Sequence, residues 1–244
     1  MKEYFKSEKI SLYNCDCMES LHTIATESID CIVTDPPYKM TSRGGTGTTG
    51  GMLKKSIVNK GKVFNFNSIK VTDYAPELFR VLKNGGHCYI MTNNINLIEM
   101  LNVFTENGFH FIKSLIWDKQ KKIMGTFYMS QFEYILFFRK GKGKKINNCG
   151  TSDILSIPIS KTKDDKGNNL HDTEKPVELM KILIENSTNE GETVLEPFAG
   201  IGSTLMACEQ LNRKCIASEI DLNYAQIIKN RLNGIKEKSD ETLF

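Results

Sequence analysis

Long apolar runs are missing from this chain of 244 residues. No stretch approaches the ~20 apolar residues that a membrane-spanning helix needs, and the opening sequence MKEYFKSEKI contains no apolar signal-peptide core. The composition, with 40% hydrophobic and 25% charged residues, is ordinary for a soluble globular protein. We therefore expect a soluble protein of the cytoplasm that has no membrane partner.

Paired cysteines are missing as well. The seven cysteines are an odd number, and their spacing is not that of a disulfide framework. Cys15 and Cys17 stand two residues apart, but no Cys-x-x-Cys pair or nearby histidine completes a tetrahedral zinc set. The sequence therefore predicts thiols that pack in the core, and no metal site.

The net charge of +3 is a weak signal, but the lysines and arginines are unevenly distributed. Many of them lie in three stretches, Lys54–Lys62, Lys119–Lys122 and Arg139–Lys145. We expect each stretch to be a loop, and three such loops would form a surface that binds a polyanion if they meet in space. The sequence leaves open whether they meet.

Short apolar runs alternate with amphipathic segments along the chain. Seven runs have the length and composition of strands: 11–14, 29–33, 87–91, 109–117, 132–138, 193–195 and 214–218. Helical patterns lie between most of them, so we predict an α/β fold with a doubly wound, mostly parallel sheet. The runs 109–117 and 132–138 are expected to form its antiparallel edge. At this length the chain is expected to be a single domain over 1–244.

Two segments interrupt the alternation. Residues 39–67 are rich in Gly, Thr, Ser and Lys without periodicity, which is typical of a functional or disordered loop, or of a flexible linker. The phosphate-binding pattern GxxxxGK[ST] is absent from it. Residues 139–170 are polar apart from a few isoleucines and a leucine near 154–159, and we interpret them as an insertion or small lobe.

The sequence Asp-Pro-Pro-Tyr follows the predicted strand 29–33. Its two prolines prevent further pairing in the sheet and an immediate helix, so the chain must leave the sheet there. The Asp35 carboxylate and the Pro36 carbonyl can then accept N–H groups, and the Tyr38 ring can stack. This set suits a flat ring that carries an amino group, although an ordinary strand-ending turn would look the same.

A second motif, Glu-Pro-Phe-Ala-Gly-Ile-Gly-Ser-Thr, follows the predicted strand 193–195. Its glycines, Gly200 and Gly202, allow a ligand to approach the backbone closely. Glu219 ends the next strand, where a carboxylate suits the two hydroxyls of a ribose. Because the third glycine of GxGxxG and a basic partner for a pyrophosphate are missing, an adenosine ligand without phosphates fits better than NAD. A tight packing turn is the alternative interpretation.

Together the two motifs resemble the signature pair of the S-adenosylmethionine-dependent DNA amino-methyltransferases, which modify adenine N6 or cytosine N4. The Asp35 motif comes first, as in the permuted β group of that family. The resemblance extends over nearly the whole chain, including Tyr13-Asn14-Cys15-Asp16 and the Thr-Glu-Lys-Pro sequence at 173–176. It implies a Rossmann-like methyltransferase fold with seven strands, in which the strand at Leu12 pairs beside the strand at Ile216.

The resemblance also implies the site residues and the cofactor, S-adenosyl-L-methionine. The implied catalytic residues are Asp35, Pro36, Pro37 and Tyr38. The implied cofactor-binding residues are Asp16, Thr173, Lys175, Pro176, Glu196, Phe198, Ala199, Gly200, Gly202, Ser203, Thr204 and Glu219. No metal is needed for the implied reaction.

The implied chemistry follows from the substrate. An exocyclic aromatic amine is a poor nucleophile because its lone pair is delocalised, and acceptance of its two N–H bonds by Asp35 and the Pro36 carbonyl would aim that lone pair at the methyl group. In double-stranded DNA the base must first be flipped out of the stack, and Tyr38 would then stack on it. Trp117 is expected either to line the base pocket or to pack in the core.

Several alternatives stay open. Asp in the first position of the motif favours adenine N6, whereas Ser is more typical of the cytosine-N4 enzymes. Structured RNA or a protein glutamine are further substrates of such folds, although the latter enzymes carry Asn in place of Asp35. A non-enzymatic nucleic-acid-binding module is the interpretation from another class. Residues 39–67 and 139–170 are candidates for DNA recognition, and a homodimer and a companion restriction endonuclease are possible partners.

Overall fold

The computed structural model describes residues 3–37, 69–123, 128–163, 167–170 and 173–241. Tyr38 and the predicted loop 39–67 lie outside these residues. Within the described ranges, no helix is both long enough and apolar enough to cross a membrane.

The described residues contain nine strands and six helices. The strands are β1 (Glu3–Lys6), β2 (Ile10–Tyr13), β3 (Ile29–Thr34), β4 (Leu82–Thr92), β5 (Phe109–Ile123), β6 (Ser130–Lys140), β7 (Ile154–Ser156), β8 (Thr193–Glu196) and β9 (Lys214–Ser218). The helices are α1 (Cys17–Thr23), α2 (Val71–Val81), α3 (Leu97–Glu106), α4 (Val177–Ser187), α5 (Ser203–Gln210) and α6 (Leu222–Glu241).

All strands belong to one sheet, in the order β1-β2-β9-β8-β3-β4-β6-β5-β7. The predicted α/β class with a mostly parallel sheet is confirmed, and all seven predicted strands are present. The count is nine because β1 and β7, of four and three residues, are added at the two edges. Strands this short carry too little alternation of polar and apolar residues to be recognised in the sequence. Their pairing with neighbouring strands supplies most of their stabilisation.

Antiparallel pairing occurs in two places. The predicted pairing of β5 with β6 is present, and β6 is also antiparallel to β4. At that side of the sheet β7 forms the edge and runs parallel to β5. At the other edge β1 is antiparallel to β2.

The permuted order is visible in the strand pairing. β2, near the start of the chain, runs parallel to β9, near its end, with Ser11 opposite Ile216 and Leu12 opposite Ala217. This pairing confirms that the strand at Leu12 lies beside the strand at Ile216. It also brings the segment after β2 beside the segments after β3, β8 and β9, because all four strands run in one direction and their carboxyl ends lie on the same side of the sheet.

Helices cover both faces of the sheet. In β3, Cys31 and Val33 point to one face and pack in a core with α4, α5 and α6, while Ile32 points to the other and packs with α1, α2 and α3. Each helix offers an apolar side for this purpose, as in α2, whose Tyr74 and Leu78 are buried. Burial on both faces explains why the central strands are continuous apolar runs.

Two of the three basic stretches differ from the prediction. Lys119–Lys122 belongs to β5 and not to a loop, and Lys119 is buried in an ion pair with Glu133. Arg139–Lys145 begins within β6, where the buried Lys140 donates to the carbonyls of Phe79 and Leu82 at 2.8 Å each. These lysines therefore neutralise or satisfy internal groups. The third stretch lies outside the described residues.

The polar segment 139–170 is partly integrated into the sheet. It contributes β7, and its Asn147 side chain donates to the carbonyls of Glu185 and Thr188 at the end of α4. Trp117 of β5 is buried, and its Nε1–H donates to the Ile157 carbonyl at 2.8 Å. Of its two expected locations, Trp117 therefore takes the core.

Candidate active site

A cavity of about 310 Å³ opens at the carboxyl ends of β2, β3, β8 and β9. In open α/β sheets, ligands bind beyond these carboxyl ends. The predicted site residues that line it are Asp16, Asp35, Pro36, Pro37, Thr173, Lys175, Glu196, Phe198, Ala199, Gly200, Ser203, Thr204 and Glu219. Pro176 and Gly202 are not in the lining; Pro176 caps α4, and Gly202 precedes α5.

Glu196 ties the two motifs together. One carboxylate oxygen accepts hydrogen bonds from the Thr34 hydroxyl and the Phe198 N–H, and the other accepts from the Thr204 hydroxyl at 2.8 Å. Thr34 directly precedes Asp35, so the end of β3 is held against the turn between β8 and α5. Burial raises the pKa of Glu196 to about 8, although the three hydrogen bonds oppose that shift.

The glycine turn has a conformation that requires glycine. Gly200 and Gly202 have φ angles of 55° and 88°, in the left-handed region. A Cβ atom on Gly202 would lie 2.9 Å from Cγ1 of the buried Ile228, so α6 packs directly against this turn. Gly200 donates its N–H to Glu219 at 2.7 Å. The Ser203 hydroxyl donates to the Lys175 carbonyl at 2.7 Å, which joins the start of α5 to the segment before α4.

Glu219 is held rigidly beyond the end of β9. Its second carboxylate oxygen accepts the N–H of Asp221 at 2.8 Å, and its own carbonyl accepts from Asn14, in the segment after β2. Burial raises the pKa of Glu219 to about 7. Asp16, a second carboxylate of the cavity lining, caps α1 by accepting the Met18 N–H at 2.8 Å.

Asp35 stands at the cavity wall within a group of buried charges. Its Oδ2 accepts from the Lys175 ammonium, which also lies 3.4 Å from Glu133 Oε2. Its Oδ1 is buried and has no hydrogen-bond partner among the described residues. Burial raises the pKa of Asp35, and the Lys175 charge counteracts the shift. Lys175, expected from the resemblance to bind the cofactor, thus also contacts the predicted catalytic carboxylate.

The sequence-based prediction missed several residues of this region. Glu174, between two predicted residues, lines the cavity; its carboxylate accepts the Thr162 N–H at 2.5 Å and pairs with Arg231 of α6 at 3.1 Å. Glu133 of β6 was missed as well. Its one signal in the sequence is a carboxylate within the otherwise aromatic and aliphatic run 132–138.

The charges in the cavity select the kind of ligand. Six acidic side chains line it, of which Glu196 is largely protonated at neutral pH because of its raised pKa, whereas Lys175, already paired with Asp35, is the one basic side chain among the described lining residues. Phosphate groups would be repelled here, and a ligand with cationic groups is favoured. The acidic residues are Asp16, Asp35, Glu174, Glu196, Glu219 and Asp221. S-adenosylmethionine, an adenosine derivative with a sulfonium and an ammonium group but no phosphate, fits this set of acceptor groups.

A family model described as DNA methylase matches residues 29–230. The chain therefore belongs to the S-adenosylmethionine-dependent DNA amino-methyltransferases, the family of the adenine-N6 and cytosine-N4 enzymes. Its activity is site-specific methylation of an exocyclic amine in DNA, with S-adenosylmethionine as the cofactor.

Individual relatives agree with this assignment. The type II methyltransferase M2.LlaDCHI of Lactococcus lactis subsp. cremoris is 29% identical over 95% of this chain and 92% of the relative. The type II methyltransferase M.HinfI of Haemophilus influenzae is 27% identical over 99% of this chain and 73% of the relative. Both alignments extend over almost the whole sequence.

Solved structures share the fold. The PvuII DNA methyltransferase (cytosine-N4-specific) superimposes with a TM-score of 0.74 at 18% identity, covering 93% of this chain and 88% of that one. The complex of M1.HpyAVI with S-adenosylmethionine has a TM-score of 0.67 at 23% identity, covering 91% and 99%. At these identities the likeness concerns the architecture.

Proposed function

We propose that this protein methylates the N6 amine of an adenine that is flipped out of double-stranded DNA. The observation that carries the proposal is Asp35 Oδ1, a buried acceptor at the cavity wall with no hydrogen-bond partner among the described residues. An unsatisfied buried acceptor costs about 1–3 kcal/mol, so a substrate that supplies an N–H group there is favoured.

The residues around the cavity have separate roles in this proposal. S-adenosylmethionine, when bound, supplies an electrophilic methyl group. Glu219 would accept hydrogen bonds from the ribose hydroxyls of the bound cofactor, and Asp16 and the Phe198 turn would border its adenine. Glu196, Ser203 and Thr204 support the glycine turn. Thr173 and Lys175 border the side of the cavity near Asp35, and Pro176 follows them as the N-cap of α4.

Asp35 and the Pro36 carbonyl act on the substrate amine. By accepting its two N–H bonds they turn the nitrogen lone pair towards the methyl group, and the carboxylate stabilises the positive charge that grows on the nitrogen. Pro37 fixes the direction in which the chain leaves β3. Tyr38, directly after Pro37, is assigned to stack on the flipped base.

The choice of adenine rests on the first residue of the motif. Asp at position 35 favours adenine N6, and Ser would favour cytosine N4. Double-stranded DNA requires extrusion of the base. Within the segment 139–170, Thr162 reaches the cavity, because its N–H is bonded to Glu174 of the lining. We assign DNA recognition to 139–170 together with 39–67. The type II names of the relatives support a role beside a companion restriction endonuclease, and a homodimer is a further proposal.

The test is expression of wild type and two variants in a host that lacks DNA methylation. We expect N6-methyladenine in one sequence context for the wild type and none for Asp35→Asn, which keeps the shape of the side chain but loses its charge. Asp153→Asn is the control, because Asp153 is an exposed carboxylate paired with Lys113 at 2.9 Å. Nucleosides are quantified by mass spectrometry, and binding of S-adenosylmethionine verifies that each variant folds.

Each other outcome has a defined meaning. N4-methylcytosine that disappears in Asp35→Asn would overturn the base and keep the site. Methylation by Asp35→Asn at the wild-type level would overturn the assignment of Asp35. Binding of S-adenosylmethionine without either mark on DNA would refute the DNA substrate, and RNA would then be tested.

A further inference from the structure

Four side chains of alternating charge, of which two are buried (Lys119 and Lys175) and two are half-buried (Glu133 and Asp35), form a chain that ends at the proposed catalytic carboxylate. Lys119 Nζ lies 2.5 Å from Glu133 Oε1, Glu133 Oε2 lies 3.4 Å from Lys175 Nζ, and Lys175 Nζ contacts Asp35 Oδ2. The Lys175 and Lys119 side chains are 7% and 10% exposed, and that of Glu133 is 19% exposed. We call these four residues the charge chain.

The sheet determines how the charge chain is assembled. Glu133 of β6 stands opposite Trp117 of β5, so Lys119, two residues further along β5, lies diagonally across from Glu133 on the same face. β4 alone separates β6 from β3, and Asp35 directly follows the last residue of β3. Lys175 enters from the segment that precedes α4. Glu133 is not among the described residues that line the cavity.

The charge that develops during methyl transfer explains why a carboxylate such as Glu133 is needed beside Lys175. The substrate amine gains positive charge in the transition state, which a lone ammonium beside Asp35 would oppose. Lys175 places an ammonium beside Asp35, and Glu133 lies 3.4 Å from that ammonium. With Glu133 ionised, the two lysines and the two carboxylates balance, and Asp35 keeps its negative field at the amine.

Resting on the proposed function, we propose that Glu133 is a positioning residue for methyl transfer. Anchored by Lys119, it holds the Lys175 ammonium on Asp35 Oδ2 and balances its charge, which leaves Oδ1 turned to the substrate amine. Glu133 acts through Lys175 and touches neither the substrate nor the cofactor.

The titratable groups around Asp35 predict opposite effects for two substitutions. Burial raises the pKa of Asp35, Lys175 and Lys119 lower it, and Glu133 raises it. Glu196 of β8 and Tyr74 of α2 also lie close enough to interact with the Asp35 charge. Burial alone would raise the pKa of Glu133, but Lys175 and Lys119 together lower it, so Glu133 is ionised at neutral pH. Removing Glu133 should therefore lower the pKa of Asp35, and removing Lys175 should raise it.

The experiment measures single-turnover methyl transfer from labelled S-adenosylmethionine to DNA of a methylation-deficient host. The full chain is used, from about pH 5 to about pH 9, to obtain the plateau rate and the midpoint of the acid limb. For Glu133→Gln we expect a plateau that is ~10–100-fold lower and a midpoint at lower pH. For Lys175→Gln we expect a midpoint at higher pH.

Two measurements separate positioning from a structural role. Glu133→Gln should bind S-adenosylmethionine within about twofold of the wild-type Kd, because Glu133 lies outside the cavity lining. The control is Glu209→Gln, since Glu209 also has a buried oxygen without a hydrogen-bond partner in the described part of the chain and lies 3.6 Å from a lysine, Lys9, away from the cavity. Both its plateau and its midpoint should match the wild type.

A Glu133→Gln protein with the wild-type plateau and midpoint would overturn the inference, and so would a lower plateau with an unshifted midpoint. Should Glu133→Gln fail to fold, Lys119→Gln tests the charge chain from its other end. It removes a charge that lowers the pKa of Asp35, so its midpoint should move to higher pH, and an unchanged midpoint would refute the proposal. Absence of transfer to DNA by the wild type would refute the proposed function and this inference together.

Discussion

Replacement of Gly202 by alanine should destabilise the protein through two separable effects. The first is conformational, because Gly202 has a φ of 88°, and an L-residue in the left-handed region costs about 1–2 kcal/mol. The second is steric. The new Cβ would lie 2.9 Å from Cγ1 and 3.1 Å from Cγ2 of Ile228, a fully buried side chain that cannot move into solvent. Such overpacking costs about 1–3 kcal/mol, so we expect a total loss of about 2–5 kcal/mol.

Gly191 provides a matched control for the conformational effect. Its φ is 78°, and its N–H is bonded to a backbone carbonyl at 2.8 Å, as that of Gly202 is. Apart from its two chain neighbours, no described residue has an atom within 4 Å of the position of an added Cβ. Gly191→Ala should therefore lose only the conformational part, about 1–2 kcal/mol. The difference between the two variants isolates the contact between the glycine turn and α6.

The measurement is urea unfolding of wild type, Gly202→Ala and Gly191→Ala at one pH, with the slope of the free energy on urea compared for each. Calorimetric titration with S-adenosylmethionine, where all three proteins are folded, provides a second readout. Gly202→Ala should bind more weakly, because the turn it distorts carries Ala199 and Gly200 of the cavity lining. Equal losses of stability at both positions would refute the steric argument, and no loss at either would refute both parts.

Two further predictions concern pH. Burial lowers the pKa of His87 from 6.5 to about 4, so at intermediate pH the unfolded chain binds a proton that the folded protein excludes. The contribution of the neutral His87 to the free energy of unfolding is therefore fully present above about pH 7. About 3 kcal/mol of it is lost as the pH falls to about 4. Urea unfolding of His87→Phe should show a shallower loss between these pH values than the wild type or the exposed control His110→Gln, and equal slopes would contradict the assignment. Burial raises the pKa of Glu219 to about 7, so its carboxylate, which the proposed function places on the ribose hydroxyls, loses its charge below that pH. The calorimetric affinity for S-adenosylmethionine should weaken as the pH falls through about 7, and Glu219→Gln should bind ~10-fold more weakly without that dependence, whereas an affinity that rises on acidification would refute this role.

The location of the cavity beyond the carboxyl ends of the strands could be predicted, because the sequence signals for it are local. Asp35, Glu196 and Glu219 each follow a short apolar run, and parallel strands bring such positions to one edge of a sheet. The pairing of the first predicted strand with the last came from the permuted motif order, since neither strand specifies its neighbour by composition. The edge strands β1 and β7 escaped prediction because three or four residues carry too little periodicity.

The sequence by itself therefore determined the class of fold, the cofactor and the strand ends that form the cavity. The tertiary structure alone decided which charges meet. Lys175 and Asp35 are 140 residues apart, and neither identifies the other in the sequence. The sequence predicts Lys119 in a basic loop, whereas the pairing of β5 with β6 puts it against Glu133. Such contacts depend on the order of the strands in the sheet. The packing of the whole chain selects that order, and local sequence patterns do not predict it.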